Sequence, residues 1–158
     1  LYILFRSKTN PEEYMIRCTD GVGGTGTFKK WGASVDFTAS VLKMDENSKF
    51  VNTKHSADVY YTFENAIYRW SLISAPVAKP AITLPEGERI RDIATNFKGR
   101  GKGDDGEDLL YVVTYNPDRS GEKKGSLYVY SFADDSLVKS YEGICDDPVS
   151  VLYKYRAN

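Results

Sequence analysis

The sequence predicts an all-β fold, a β-propeller fragment made of repeated four-stranded antiparallel meanders. Three observations lead there. Between Asp108 and Tyr141 the chain holds three short strands in a row, divided by turn residues. An earlier part of the chain repeats that row. Both faces of the central strand are largely apolar, so its sheet needs a neighbour on each side, as stacked blades would supply. A single β-sandwich is the alternative, although it would prefer one polar face per strand.

The first strand of the row is Leu109-Leu110-Tyr111-Val112-Val113-Thr114-Tyr115, a β-branched and aromatic run. The loop Asn116 to Gly125 follows, rich in Asn, Pro, Asp, Ser and Gly. Ser126-Leu127-Tyr128-Val129-Tyr130-Ser131-Phe132 is the second strand, with Leu127, Val129 and Ser131 on one face and Tyr128, Tyr130 and Phe132 on the other. Asp134-Asp135 turns the chain into a weaker third strand, Leu137 to Tyr141, which is expected to end at Gly143.

Ala66-Ile67-Tyr68-Arg69-Trp70-Ser71-Leu72 matches the central strand in character at six of seven positions; Arg69 against Val129 departs. Glu13 to Thr19 fits more loosely, with Cys18 at the small Ser position. Each follows another strand, Val59 to Phe63 and Leu1 to Phe5. Arg89 to Thr95 precedes the Leu109 strand, Lys49 to Thr53 is its counterpart one unit earlier, and Pro148 to Lys154 one unit later. Ala81 to Leu84 corresponds to Leu137 to Tyr141. Within one domain the units run roughly 1–48, 49–87 and 88–145, with 146–158 starting or closing another. Phe37 to Met44 reads as an outer strand or one short helix capped by Asp36, so helix content should be very low.

The chain has 158 residues, 41% of them hydrophobic, which suits a packed core rather than disorder. Its 12 tyrosines lie mostly in the strand runs and suit half-buried sheet faces. A net charge of −1 gives no reason to expect nucleic acid or an anionic membrane as partner. No apolar run approaches the roughly 20 residues that span a bilayer. A chain that opens inside the strand Leu1 to Phe5, without a starting Met or leader, is expected to be a piece of a longer protein. Cys18 and Cys145 read as two free thiols, Cys18 buried against a neighbouring sheet and Cys145 the more accessible.

The motifs that could carry chemistry have simpler readings. Gly21-Val22-Gly23-Gly24-Thr25-Gly26 spells G-x-G-x-x-G, but Thr27 to Gly32 opens no helix to meet a phosphate, so a flexible turn is expected. The acidic loop 104–108, Asp104-Asp105-Gly106-Glu107-Asp108, lacks oxygen ligands at the alternate positions Gly101 and Gly103, so whether it binds an ion stays open. His55, the single histidine, sits with Ser56 and Asp58 in a turn, and such proximity makes no triad. Glu12-Glu13, Asp134-Asp135 and Asp146-Asp147 could serve glycoside hydrolysis, yet each pair lies in a turn. Trp31, Tyr14 and Tyr155 could stack on sugar rings or simply pack. No catalytic, cofactor or metal residue is assigned, and no ligand-binding residue is singled out.

Val59 to Leu72, Arg89 to Thr95 and Leu109 to Tyr153 resemble the C-terminal part of a β-propeller. More narrowly, Ala66 to Trp70, Asp92-Ile93-Ala94 and Gly125 to Tyr130 are similar to the propeller end of the PKD-like lipoproteins of gut Bacteroidetes. The resemblance implies a secreted or surface-anchored protein, some of whose relatives accompany glycan uptake, with the anchor lying outside this chain. It carries no catalytic motif. The expected function is a non-catalytic binding or scaffold module, extracytoplasmic and glycan-associated; a fragment of a propeller-type glycosidase or lyase is the alternative. Because its end faces are apolar, the chain is expected to bind a missing N-terminal part of its parent or a second copy of itself, with a glycan or cell-surface protein as further partner.

Overall fold

The computed structural model describes residues 2–11, 13–20, 29–31, 37–38, 44–52, 58–71, 78–96 and 108–154. Among these residues there are twelve strands and no helix. The strands fall into three antiparallel sheets of four, none closed on itself.

In the first sheet β1 (Tyr2–Arg6) pairs with β2 (Glu13–Asp20), from Tyr2 opposite Cys18 to Arg6 opposite Tyr14. The other edge of β2 takes β3 (Lys29–Trp31) at one end and β4 (Phe37–Thr38) at the other. Phe37 and Thr38 are therefore strand, while residues 39–43 of the expected strand or helix lie outside the described residues.

The second sheet runs β5 (Phe50–Asn52), β6 (Asp58–Phe63), β7 (Ala66–Ser71) and β8 (Ile82–Thr83) in chain order. The third runs β9 (Arg89–Thr95), β10 (Leu109–Tyr115), β11 (Gly125–Ser131) and β12 (Leu137–Cys145), again in chain order. Both are meanders, as the repeat predicts. The register puts Tyr60 opposite Arg69 in one and Tyr111 opposite Val129 in the other. The aligned central strands thus hold the same place in both sheets.

These two sheets pack face to face. Tyr60, Ile67 and Ile82 of the second meet Ile93, Leu110, Val112, Tyr128 and Tyr130 of the third in one buried cluster, completed by Leu84 and Phe132. The alternation of β11 explains the choice of face, since Tyr128 and Tyr130 turn toward the second sheet and Leu127 and Val129 turn away. Tyr60 reaches furthest across the junction. Its ring lies 4.8 Å from that of Phe132, and its hydroxyl donates to Asp135 Oδ1 at 2.6 Å. Arg69, held by Asp58 at 2.7 Å, adds its guanidinium 5.6 Å from the Tyr60 ring centre and 3.9 Å from Asp135.

Three expectations need correction. Tyrosine is expected at half-buried positions, and Tyr111 and Tyr115 are so placed, but Tyr60, Tyr61, Tyr68, Tyr128 and Tyr130 are buried, because both faces of β6 and β7 are covered and Tyr128 and Tyr130 lie on the face packed against the second sheet. The last strand does not end at Gly143. It runs on to Cys145, because bulges on both sides of Leu127 to Val129 and the left-handed Gly143 (φ 60°) let it follow β11. Pro148 to Lys154 is not a strand; it crosses the outer face of the third sheet as an irregular strap. Val151 N donates to Asp92 Oδ2 at 3.0 Å, and Tyr153 stacks on Tyr111 at 5.6 Å.

The strap passes close over Gly125. A Cβ there would lie 2.6 Å from both Cys145 Sγ and Pro148 Cδ. Gly125→Ala should therefore cost about 1–3 kcal/mol, by overpacking. Urea unfolding of the variant checks this, and an unchanged midpoint would show the strap not to be seated there.

Burial also shapes the response to alkali. Burial and the Asp135 carboxylate push Tyr60 up, burial pushes Tyr61 up, and burial, then Tyr128, pushes Tyr130 up to about 12. The folded state thus holds these protons above pH 10, where the unfolded chain releases them from tyrosines of ordinary pKa 10.0. Their stabilising contribution is complete below pH 10 and should fall as pH rises from 10 through 12. Tyrosinate absorbance followed alongside circular dichroism should show the buried rings ionising only as the fold is lost.

Candidate functional site

The starts of β5 and β9, the β6–β7 turn and the β10–β11 loop converge at one end of the stacked pair. Between them lies a cleft of about 430 Å³. Asp45, Asn47 and Ser48 line one side, Thr62 to Asn65 the floor, and Gly87 to Ile90 with Asp118 the other side.

Local chemistry builds each wall. Asp45 Oδ1 accepts from Asn47 N at 2.8 Å, and Ser48 Oγ accepts from Asp45 N at 2.9 Å, an Asx turn that leads into β5. Glu64 heads the two-residue β6–β7 turn in the left-handed region, φ 54°. Asn65 braces that turn by exchanging bonds with Leu84, its side-chain amide donating to the Leu84 carbonyl at 3.2 Å and its own carbonyl accepting from Leu84 N at 2.9 Å. On the far side Asn116 Oδ1 accepts from Asp118 N at 3.0 Å and sets the loop.

Glu88 is the buried ionisable group of this cleft, its side chain 1% exposed. Its carboxylate accepts from Thr114 Oγ1 at 2.5 Å, from Asn116 Nδ2 at 3.5 Å, and from the Arg119 guanidinium. Arg119 also donates to Glu142 Oε2 at 2.6 Å, so the cation joins the start of β9 to β12. Glu142, then Glu88, holds Arg119 above its ordinary range, against the opposing effect of burial. Chemically the arrangement is a closed structural network with a polar cleft beside it. The cleft offers carboxylate and amide groups to a ligand, next to Phe63 and Ile90.

The residues singled out in the sequence do not assemble here. The Gly21 to Gly26 motif, His55, Ser56, Glu12, Tyr155 and residues 104–107 of the acidic loop lie outside the described residues. Tyr14 and Trp31 stand opposite Phe37 and Cys18 in the first sheet, and Glu13 stands opposite Thr38. Asp58 binds Arg69, and Asp135 binds Tyr60. Asp134 accepts from Ser136 N at 3.1 Å, and Ser136 holds it below the usual carboxylate range. Asp147 pairs with Arg91 at 3.0 Å on the strap, and Asp146 is exposed beside it. Cys145 is a free, half-buried thiol, while the Cys18 side chain lies outside the described residues. Among the described residues no three His, Cys, Asp or Glu side chains are grouped to hold a metal ion.

Glu88, Arg119 and the cleft walls escaped the sequence reading. One signal was present: Thr114 is the lone polar residue on the Leu110, Val112 face of β10, and a polar group there needs a buried partner. No protein-family model, curated protein or solved structure matches the chain.

Proposed function

We propose that the chain is a non-catalytic binding and scaffold module, part of a β-propeller whose blades are the stacked meanders, and that the cleft at their end takes a glycan. One observation carries this reading. The cleft's buried carboxylate, Glu88, is fully engaged by Thr114, Asn116 and Arg119, whereas the groups at its mouth are disposed for recognition. Hydroxyl-rich ligands are held by fixed carboxylates and amides flanking an apolar ring, and Asp45, Asn47, Asp118 and Phe63 supply that set. The volume is in the range of small-molecule sites.

Sheets that repeat in chain order and pack face to face support the propeller, with 1–48, 49–87 and 88–145 as its units. The resemblance to surface lipoproteins of gut Bacteroidetes supports an extracytoplasmic place, reached through an anchor outside this chain, and a glycan or cell-surface protein as partner.

A glycan array probed with the purified 158-residue chain tests the reading. Binding to a defined oligosaccharide class, weakened about tenfold or more by Asn47→Ala or Asp118→Ala with the fold retained, is the expected result. Binding insensitive to both substitutions, or turnover of the sugar by the pure chain, would overturn it.

A further inference from the structure

The registers of the two meanders allow the sheet faces to be compared residue by residue. Asp58, Tyr60, Thr62, Ile67 and Arg69 share one face of the second sheet, the face that Tyr60 and Ile67 bury against the third. Their counterparts on the third sheet are Leu109, Tyr111, Val113, Leu127 and Val129. That set forms the outer face of the third sheet, on which no further sheet packs among the described residues, although Val113 and Val129 are already buried there. The packing is heterologous, one face of each sheet against the opposite face of the next, and so it does not end by symmetry.

The outer face is more apolar than its covered counterpart. The ion-paired Asp58 and Arg69 are replaced together by Leu109 and Val129, and Thr62 by Val113. Among the described residues only the strap crosses it. Tyr153 stacks on Tyr111 much as Phe132 packs on Tyr60. The Val151 backbone N–H seats the strap on Asp92, while the Val149 and Leu152 side chains are 81% and 89% exposed. An irregular segment seated at Val151 and Tyr153, with two large apolar side chains bare, leaves apolar surface for a partner.

We propose that the outer face of β9 to β12, with residues 149–154, is the docking surface for a further antiparallel sheet of the same repeat. The partner pairs its strands onto the strap and lays an alternating aromatic face, like that of Tyr128 and Tyr130, over half-buried Leu127 and exposed Tyr141, which stands opposite it. A second copy of this chain is not that partner: its own aromatic faces, Tyr128 with Tyr130 and Tyr68 with Trp70, are already buried. The inference rests on the stacked-repeat reading and is independent of the ligand in the cleft.

The probe is the full chain lengthened after Asn158 by a second copy of residues 96–145. Amide exchange across 149–154 should slow by about tenfold or more in the lengthened chain. Binding of the dye anilinonaphthalene sulfonate should fall, and both effects should vanish when the added copy carries Ser in place of its two alternating tyrosines. Unchanged exchange, or equal protection from the Ser-bearing copy, would overturn the proposal. The natural chain gives a separate reading that does not depend on the added copy folding. It should bind the dye as a monomer and lose that binding in the Val149→Asp, Leu152→Asp variant, whose exposed sites leave the fold intact. Absence of dye binding, or a dimer that protects this face, would also overturn it. Glycan-array binding is measured at the cleft and not on this sheet face, so its failure and this one are separable.

Discussion

Replacing Arg119 with alanine is expected to destabilise the fold by about 3–5 kcal/mol, the cost of stranding a buried charge. The Arg119 side chain is 16% exposed and faces a Glu88 side chain that is 1% exposed, so water screens their interaction little. Without the guanidinium, Glu88 keeps only the Thr114 hydroxyl and the Asn116 amide, two neutral donors for a full charge. Glu88→Ala should cost less, about 2–3 kcal/mol, because Arg119 retains Glu142 while Thr114 loses the buried acceptor it donates to. Removing both charges, as Glu88→Gln with Arg119→Met, should recover much of the loss, since desolvation then no longer opposes the fold. Urea unfolding of the three variants gives the comparison. A near-neutral Arg119→Ala would mean that the network is solvated and that Glu88 is open to chemistry. Surface pairs make the contrast: Arg91 with Asp147 is exposed on both sides, and breaking it should cost at most about 1 kcal/mol.

Tyr60→Ala should have an effect of similar size, about 3–5 kcal/mol. The fully buried ring joins the two sheets through Phe132, carries the Arg69 guanidinium on its face, and ends in the bond to Asp135. Tyr60→Phe keeps the ring and removes only the hydroxyl. It should cost about 1–3 kcal/mol, because Asp135 loses a charge-assisted bond but keeps Arg69 nearby. The difference between the two variants separates packing from hydrogen bonding at the junction.

Much of the fold was legible because period-two alternation and β-branched runs act over a few residues. β6, β7, β9, β10 and β11 fall within a residue of their expected places. The repeat then paired them correctly, and the apolar side of Tyr128 and Tyr130 marked the face that packs on the second sheet. What escaped was set by contacts distant in sequence. Glu88 lies 26 residues from Thr114 and 31 from Arg119, and nothing in a turn reading Pro-Glu-Gly-Glu marks one glutamate as buried. The extension of β12 past Gly143 depends on bulges, which cost a strand its simple periodicity. The strap escaped for the opposite reason: Val149 to Tyr153 has a strand's composition but joins no sheet among the described residues.

The central claim is that the two repeated meanders stack face to face, with Tyr60 carrying the junction. A double-mutant cycle between Tyr60→Phe on β6 and Asp135→Gly in the β11–β12 turn tests it most directly. Glycine accepts the left-handed φ of 59° at that position, and the cycle subtracts its effect on the unfolded chain. Stacked sheets predict a coupling of about 0.5–3 kcal/mol between sites 75 residues apart. Strictly additive single effects would mean that the hydroxyl and the carboxylate never meet, and the face-to-face arrangement would be contradicted.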